Sequence, residues 1–249
     1  KKRGPTFKRV KTPANAYVAT MTEYQKNIPV SAVAFPPQVV NNPLAQVLAD
    51  KGLAQMHMAE TEKERMVTHY FDGLRDEKAP GEELVLVSSP KVSTYDKKPE
   101  MSVFTLLSRF NQELGRDRFH FLIVNFANPD MVAHSGKVAA TVVAIEHVDK
   151  AIGQMYDAIS RVGGTLLITA DHGNAEDLLT YPGASYFFTT EGGTQNTEHS
   201  NNPVPLIIVA PEFKGEGREL PQGSLSDVAP TILAMMKLDK PPEMSGRNL

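Results

Sequence analysis

The stretch "LLITADHGNAEDLL", Leu166–Leu179, passes from apolar to charged within a few residues. Its opening belongs to "TLLITA" (Thr165–Ala170), which reads as a buried strand behind the Gly163-Gly164 pair. Asp171 and His172 then stand side by side, followed by Gly173, Asn174 and a short helix-like "AEDLL". In an open α/β sheet, ligands collect outside the carboxyl ends of the strands. A carboxylate and an imidazole at that point therefore raise the question of what they hold.

Working outward, strand-like and helix-like patterns alternate. "AQMHMAE" (Ala54–Glu60), "ELVLVSS" (Glu83–Ser89), "FHFLIVNFAN" (Phe119–Asn128) and "VPLIIVA" (Val204–Ala210) read as strands. Helices are expected from about Glu62, over Ser102–Leu114, and over Ser226–Met236 with Ser226 as N-cap. The longest helix carries Val142, Ile145, Val148, Ile152, Met155 and Ile159 at spacings of three and four, predicting one apolar stripe. This order implies an α/β fold with a doubly wound, mostly parallel sheet. Two further strand-like runs, "AYVATM" (Ala16–Met21) and "VSAVAF" (Val30–Phe35), precede Pro36-Pro37, a candidate hinge. The Gly-, Thr- and Asn-rich stretch Tyr181–Asn202 reads as a long functional loop.

Composition narrows the chemistry. The 249 residues are 41% hydrophobic and 22% charged with a net charge of −3, which argues against a general nucleic-acid binder. The chain has no cysteine, so any metal must be held by nitrogen and oxygen. No run approaches the about 18 apolar residues of a membrane span. The basic start "KKRGPTFKRVK" has no apolar core behind it and reads as a solvated charge run rather than a secretory signal.

Three segments at the expected strand ends carry the same residue types. "PDMVAHSG" holds Asp130 and His134, "TADHGN" holds Asp171 and His172, and "NTEHSNNP" holds His199. Mixed N/O sets of this kind suit Mn²⁺, Zn²⁺ or Co²⁺. Each piece also has a plain structural reading. Asp-His after a strand can be a capped turn, Asp130 can cap the next helix, and a histidine in a polar loop can simply face solvent. Their joint occurrence at one predicted edge favours a metal site. His57 lies inside an apolar strand, His120 begins one and His147 sits within the long helix; all three read as structural, and His69 is left open.

At these residues the chain resembles the cofactor-independent (2,3-bisphosphoglycerate-independent) phosphoglycerate mutases of the alkaline phosphatase superfamily. The motifs are "NFANPDMVAHSG", "LLITADHGNAEDL", "TEHSNNPVPLIIV" and "LSDVAPTILAMM", joined by "MAETEKERMVTHYFDG" and "SSPKVSTYDKKPEMS". "TADHGN" alone is shared with phosphopentomutases and other phosphatase-like relatives. The resemblance implies interconversion of 3- and 2-phosphoglycerate through a phosphoserine intermediate, using two divalent metal ions, with Mn²⁺ expected and Co²⁺ or Zn²⁺ alternatives. It implies that Asp130, His134 and His199 bind one ion, that Asp171 and His172 bind the second, and that Lys63 touches the transferring phosphoryl group. From the residues alone Lys63 reads rather as a helix-surface lysine paired with Glu60 or Glu62.

The family's nucleophilic serine and a further metal-binding aspartate belong to a Ser-Glu-x-Gly-His-type motif, which does not occur here, and its Arg-x-Asp-Arg motif is absent too. The resemblance thus implies a C-terminal portion: residues 1–34 as the end of a transferase domain and 35–249 as part of the phosphatase domain. Ser31, Ser88 and Ser135 are poor substitutes for the nucleophile. The expected setting is a monomeric cytoplasmic enzyme of glycolysis and gluconeogenesis that acts on a small-molecule substrate, away from membrane and nucleic acid. Rival readings are a metal-dependent phosphomonoesterase or phosphopentomutase, and a non-catalytic metal-binding fragment.

Overall fold

The structure, a computed structural model, describes residues 15–25, 27–180 and 194–249. Most of the expected long loop before His199 lies outside the described residues. The chain divides into two compact units, Lys1–Val39 and Val40–Leu249. In the first unit, β1 (Ala19–Thr20) and β2 (Ala32–Val33) pair in parallel.

The second unit is built on β3 (Gln55–Glu60), which lies between β4 (Glu82–Val87) and β5 (Phe121–Val124), all parallel. Every residue of β3 is buried, as expected of a central strand covered on both faces. Because strand side chains alternate, Met56 and Met58 enter one cluster with Leu106 and Phe110 of α3 (Val103–Leu114) and Val148 and Met155 of α5 (Val138–Arg161). A second cluster joins Leu44 and Leu48 of α1 (Leu44–Asp50) to Leu233 of α6 (Val228–Met235). Two shorter helices follow strands: α2 (Glu64–Val67) comes after β3, and α4 (Asn128–Ala133) after β5.

The remaining strands depart from parallel order. β6 (Leu166–Ile168) pairs antiparallel with β9 (Ile207–Val209), and β7 (Leu179–Thr180) antiparallel with β8 (Thr194–Gln195). The direction of β9 has a consequence for the site. Running against β6, it brings the segment before it, which contains His199, to the carboxyl end of β6, where Asp171 and His172 emerge.

Three local expectations are corrected. The buried face of α5 is Thr141, Ala144, Val148, Ala151, Met155 and Ala158, while Val142 and Ile145 are exposed. Small residues on the inner face let the helix approach its neighbours closely, which a stripe drawn through large apolar residues overlooks. "AEDLL" forms no helix; the Glu176 carboxylate turns back to accept the Asn174 N–H at 2.8 Å, a local bond that competes with helical pairing. Ser226 is not the cap: the capping residue is Ser224, at the start of the 3₁₀ turn Leu225–Asp227 that leads into α6. Ser224 and Asp227 form a reciprocal capping box, with the Ser224 N–H donating to Asp227 Oδ2 at 2.8 Å.

The α5 correction yields a direct contrast. Val148→Ala should destabilise by roughly 2 kcal/mol through lost burial, whereas Val142→Ala should stay within about 0.5 kcal/mol. Urea unfolding of the two variants measures the difference, and equal effects would contradict the assigned helix face.

Candidate metal centre

The geometry starts from α4. Asp130 lies in its first turn and His134 one turn later, so the carboxylate and imidazole share a helix face. His134 Nε2 stands 3.1 Å from Asp130 Oδ1. His199 Nε2 stands 3.1 Å from the same oxygen and 3.3 Å from His134 Nε2. Bonds of about 2.0–2.1 Å to a single tetrahedral ion place ligand atoms roughly 3.3 Å apart. The trio has that spacing.

Protonation sharpens the fit. The Thr197 carbonyl lies 2.7 Å from His134 Nδ1 and accepts its N–H. That bond fixes the tautomer and leaves the Nε2 lone pair aimed at a carboxylate oxygen and a second imidazole nitrogen. Such an encounter is relieved by a cation between the atoms or by a proton on His199 Nε2 donated to them. Asp130 is mostly buried, while the two imidazoles are partly exposed, so a small ligand can reach the cluster from solvent.

Burial by itself would push the Asp130 carboxyl up. Hydrogen bonds from Lys63 and Asn174, with the charge of Lys63, hold it below the usual carboxylate range. Asn174 Nδ2 donates to Asp130 Oδ1 at 2.9 Å. Lys63, which ends a 3₁₀ turn directly after β3, is buried and donates to Asp130 Oδ2. The surface-lysine alternative is therefore set aside: its partner is Asp130, from an element 67 residues away.

Asp171 and His172 form a pair beside this trio. His172 Nε2 is 3.6 Å from Asp171 Oδ2, and neither ring nitrogen of His172 has a hydrogen-bond partner among the described residues. The His172 ring stacks on His199 with centroids 3.6 Å apart and planes 16° from parallel. One imidazole with two orphaned nitrogens thus stands against the ring of His199. Among the other histidines, His147 packs edge-on against Phe104, and His69 Nδ1 lies 3.1 Å from both the Arg75 carbonyl and Asp76 Oδ1.

A clamp holds the two loops together. Gly173 bridges Ser200 in antiparallel fashion, and the Ser200 N–H donates to the Gly173 carbonyl at 2.8 Å. Glu176 Oε1 accepts from Ser200 Oγ and, at 3.0 Å, from Asn202 Nδ2. Led by the Ser200 hydroxyl, these donors lower the Glu176 carboxyl to about 2. A Cβ at Gly173 would overlap Ser200 Oγ and Glu176 Oε1, so this close approach requires glycine. Sequence reasoning missed Asn174 and the clamp. The adjacency "HGN" was a usable signal for Asn174, whereas the Thr197 carbonyl has no side-chain signature.

The chain belongs to the metalloenzyme superfamily, whose pattern matches residues 11–240. It is 47% identical over 98% of its length to the 2,3-bisphosphoglycerate-independent phosphoglycerate mutase of Thermomicrobium roseum, and 46% identical over 94% to that of Clostridioides difficile. It covers 45% and 44% of those proteins, so the chain spans about half the length of the curated relatives it matches. A solved phosphoglycerate mutase of Leishmania mexicana, crystallised at low cobalt concentration, is 27% identical with a TM-score of 0.81, covering 99% of this chain and 46% of that one. Among the described residues no helix is long and apolar enough to cross a membrane.

Gly173→Ala should displace the Ser200 segment and break the His172–His199 stack. In NMR spectra the ring-current displacement of the His199 imidazole protons should disappear. Unchanged His199 shifts in a folded variant would show that the clamp does not position that ring.

Proposed function

We propose that the protein containing this chain is a cofactor-independent phosphoglycerate mutase that interconverts 3-phosphoglycerate and 2-phosphoglycerate. The observation that carries the reading is the convergence of His134 and His199 on Asp130 Oδ1, with Lys63 on the other oxygen of the same carboxylate. The relatives named as such mutases support it. In this reading Asp130, His134 and His199 hold one divalent ion, and Asp171 and His172 contribute to a second. Mn²⁺ is the expected metal, with Co²⁺ and Zn²⁺ also compatible with the donors. When bound, divalent ions neutralise phosphate oxygens and polarise the attacking oxygen.

The chain's own residues have separable tasks. Lys63 presents a compact positive charge to a transferring phosphoryl group, next to the carboxylate that anchors the site. Asn174 orients the Asp130 carboxylate, the Thr197 carbonyl orients His134, and the stacked His172 ring limits rotation of His199. The finer reading includes a phosphoserine intermediate. Ser135 Oγ donates to the Val132 carbonyl at 2.6 Å, and Ser31 Oγ accepts the Val18 N–H at 3.0 Å. Ser200 Oγ is engaged by Glu176. Ser31, Ser88 and Ser135 remain poor substitutes for the nucleophile, because none sits in the family's nucleophile motif. We assign the setting to cytoplasmic glycolysis and gluconeogenesis, with a monomeric enzyme and a small phosphorylated acid as substrate. We retain residues 1–34 as the end of a transferase domain.

The test is turnover of 3-phosphoglycerate by the intact protein, followed by ³¹P NMR. Chelator-stripped protein should be inactive and regain 2-phosphoglycerate formation with Mn²⁺. Asp130→Asn should lower the rate by at least about 10²-fold, the scale seen when a key electrostatic group is lost. Release of inorganic phosphate in place of 2-phosphoglycerate would instead identify a phosphomonoesterase.

A further inference from the structure

Toward the amino end of β3, well before Lys63, a second set of donor side chains is buried. His57 is in β3, Glu82 is the first residue of β4, and Asp72 lies in the turn after α2. Their exposures are 0%, 8% and 4%, and one ligand atom from each lies within 4.8 Å of the other two. Buried groups of this kind are rarely left without partners. Glu82 Oε1 and Asp72 Oδ1 nevertheless have no hydrogen-bond partner among the described residues.

The hydrogen bonds around His57 show what is lacking. Gln55 Nε2 donates to the Ala45 carbonyl at 2.8 Å, which fixes the amide and makes Gln55 Oε1 the acceptor for His57 Nε2–H at 3.1 Å. In the neutral ring, Nδ1 then carries the lone pair. That nitrogen lies 2.6 Å from the Val67 carbonyl oxygen and 3.7 Å from Glu82 Oε1. Either a proton on that nitrogen or a cation among the three side chains relieves the contact.

A proton on Nδ1 would satisfy the Val67 carbonyl but leave both orphaned carboxylate oxygens as they are. Arg75 does not supply the charge by contact, because its guanidinium donates to Gln46 Oε1 and the Asn41 carbonyl. A divalent cation would meet all four donors at once, and one imidazole nitrogen with three oxygens suits a first-row ion.

We propose that His57, Asp72 and Glu82, with the Val67 carbonyl, form a further divalent-cation site with a structural role, apart from the two ions assigned to phosphoryl transfer. Its ion ties the turn after α2 to β3 and β4 and uses none of the residues assigned to phosphoryl transfer. His57, which the sequence presents as an ordinary core histidine, becomes a ligand whose far nitrogen is oriented by Gln55.

The test separates this site from the one around Asp130. The intact protein carrying His134→Ala, His172→Ala and His199→Ala together is stripped with chelator and titrated with Mn²⁺ by calorimetry. One equivalent should bind, and adding Glu82→Gln or Asp72→Asn should weaken it at least about tenfold. Absence of binding to the folded triple variant would overturn the site, as would binding that ignores both substitutions. The otherwise wild-type protein gives an independent measure by mass spectrometry of its metal content. There Glu82→Gln or Asp72→Asn should remove one equivalent while 3-phosphoglycerate turnover persists, and an unchanged metal content would overturn the site.

Discussion

A carboxylate oxygen and two imidazole nitrogens face one another within 3.3 Å, and a proton or a cation between them is what relieves the contact. The Thr197 carbonyl makes the requirement stricter by taking the proton on the far nitrogen of His134. With the tautomer fixed, the near nitrogen offers only electrons. Asn174 donates to the same Asp130 oxygen, and Lys63 brings a full positive charge to the other one. In the proposed reading these donors are preorganised for a cation by the partners that orient them.

The fold meets this constraint by gathering four segments. β3 delivers Lys63, the turn out of β5 delivers Asp130 and His134, β6 delivers Asp171 and His172, and the segment entering β9 delivers His199. The last of these depends on strand direction. Had β9 run parallel to β6, the segment before it would have arrived at the opposite edge. The Gly173–Ser200 bridge then fixes the spacing of the two loops, and the stacked His172 and His199 rings convert that backbone contact into side-chain alignment.

Much of this was legible in the sequence because it was written in side chains with strong periodic or chemical signatures. The alternation of strands and helices set the fold class, and the Asp and His residues stood out at the strand ends. Information held in the backbone was not legible. The antiparallel course of β9 and the tautomer-setting carbonyl of Thr197 have no residue type of their own. The buried face of α5 was misassigned for a related reason, since Ala144, Ala151 and Ala158 pack closely without standing out by hydrophobicity. Lys63 shows the reverse case. Its neighbours in sequence gave it acidic partners, but its true partner came from a distant element that only the tertiary fold brings near.

The account stands most directly on where a cation settles. Crystals of the intact protein equilibrated with Mn²⁺ and measured for anomalous scattering locate it without reference to activity. The account predicts a peak bonded to Asp130, to Nε2 of His134 and to Nε2 of His199, with the His134 Nδ1–Thr197 contact intact. A fully occupied peak elsewhere, with those three atoms still facing one another and no ion between them, would contradict it.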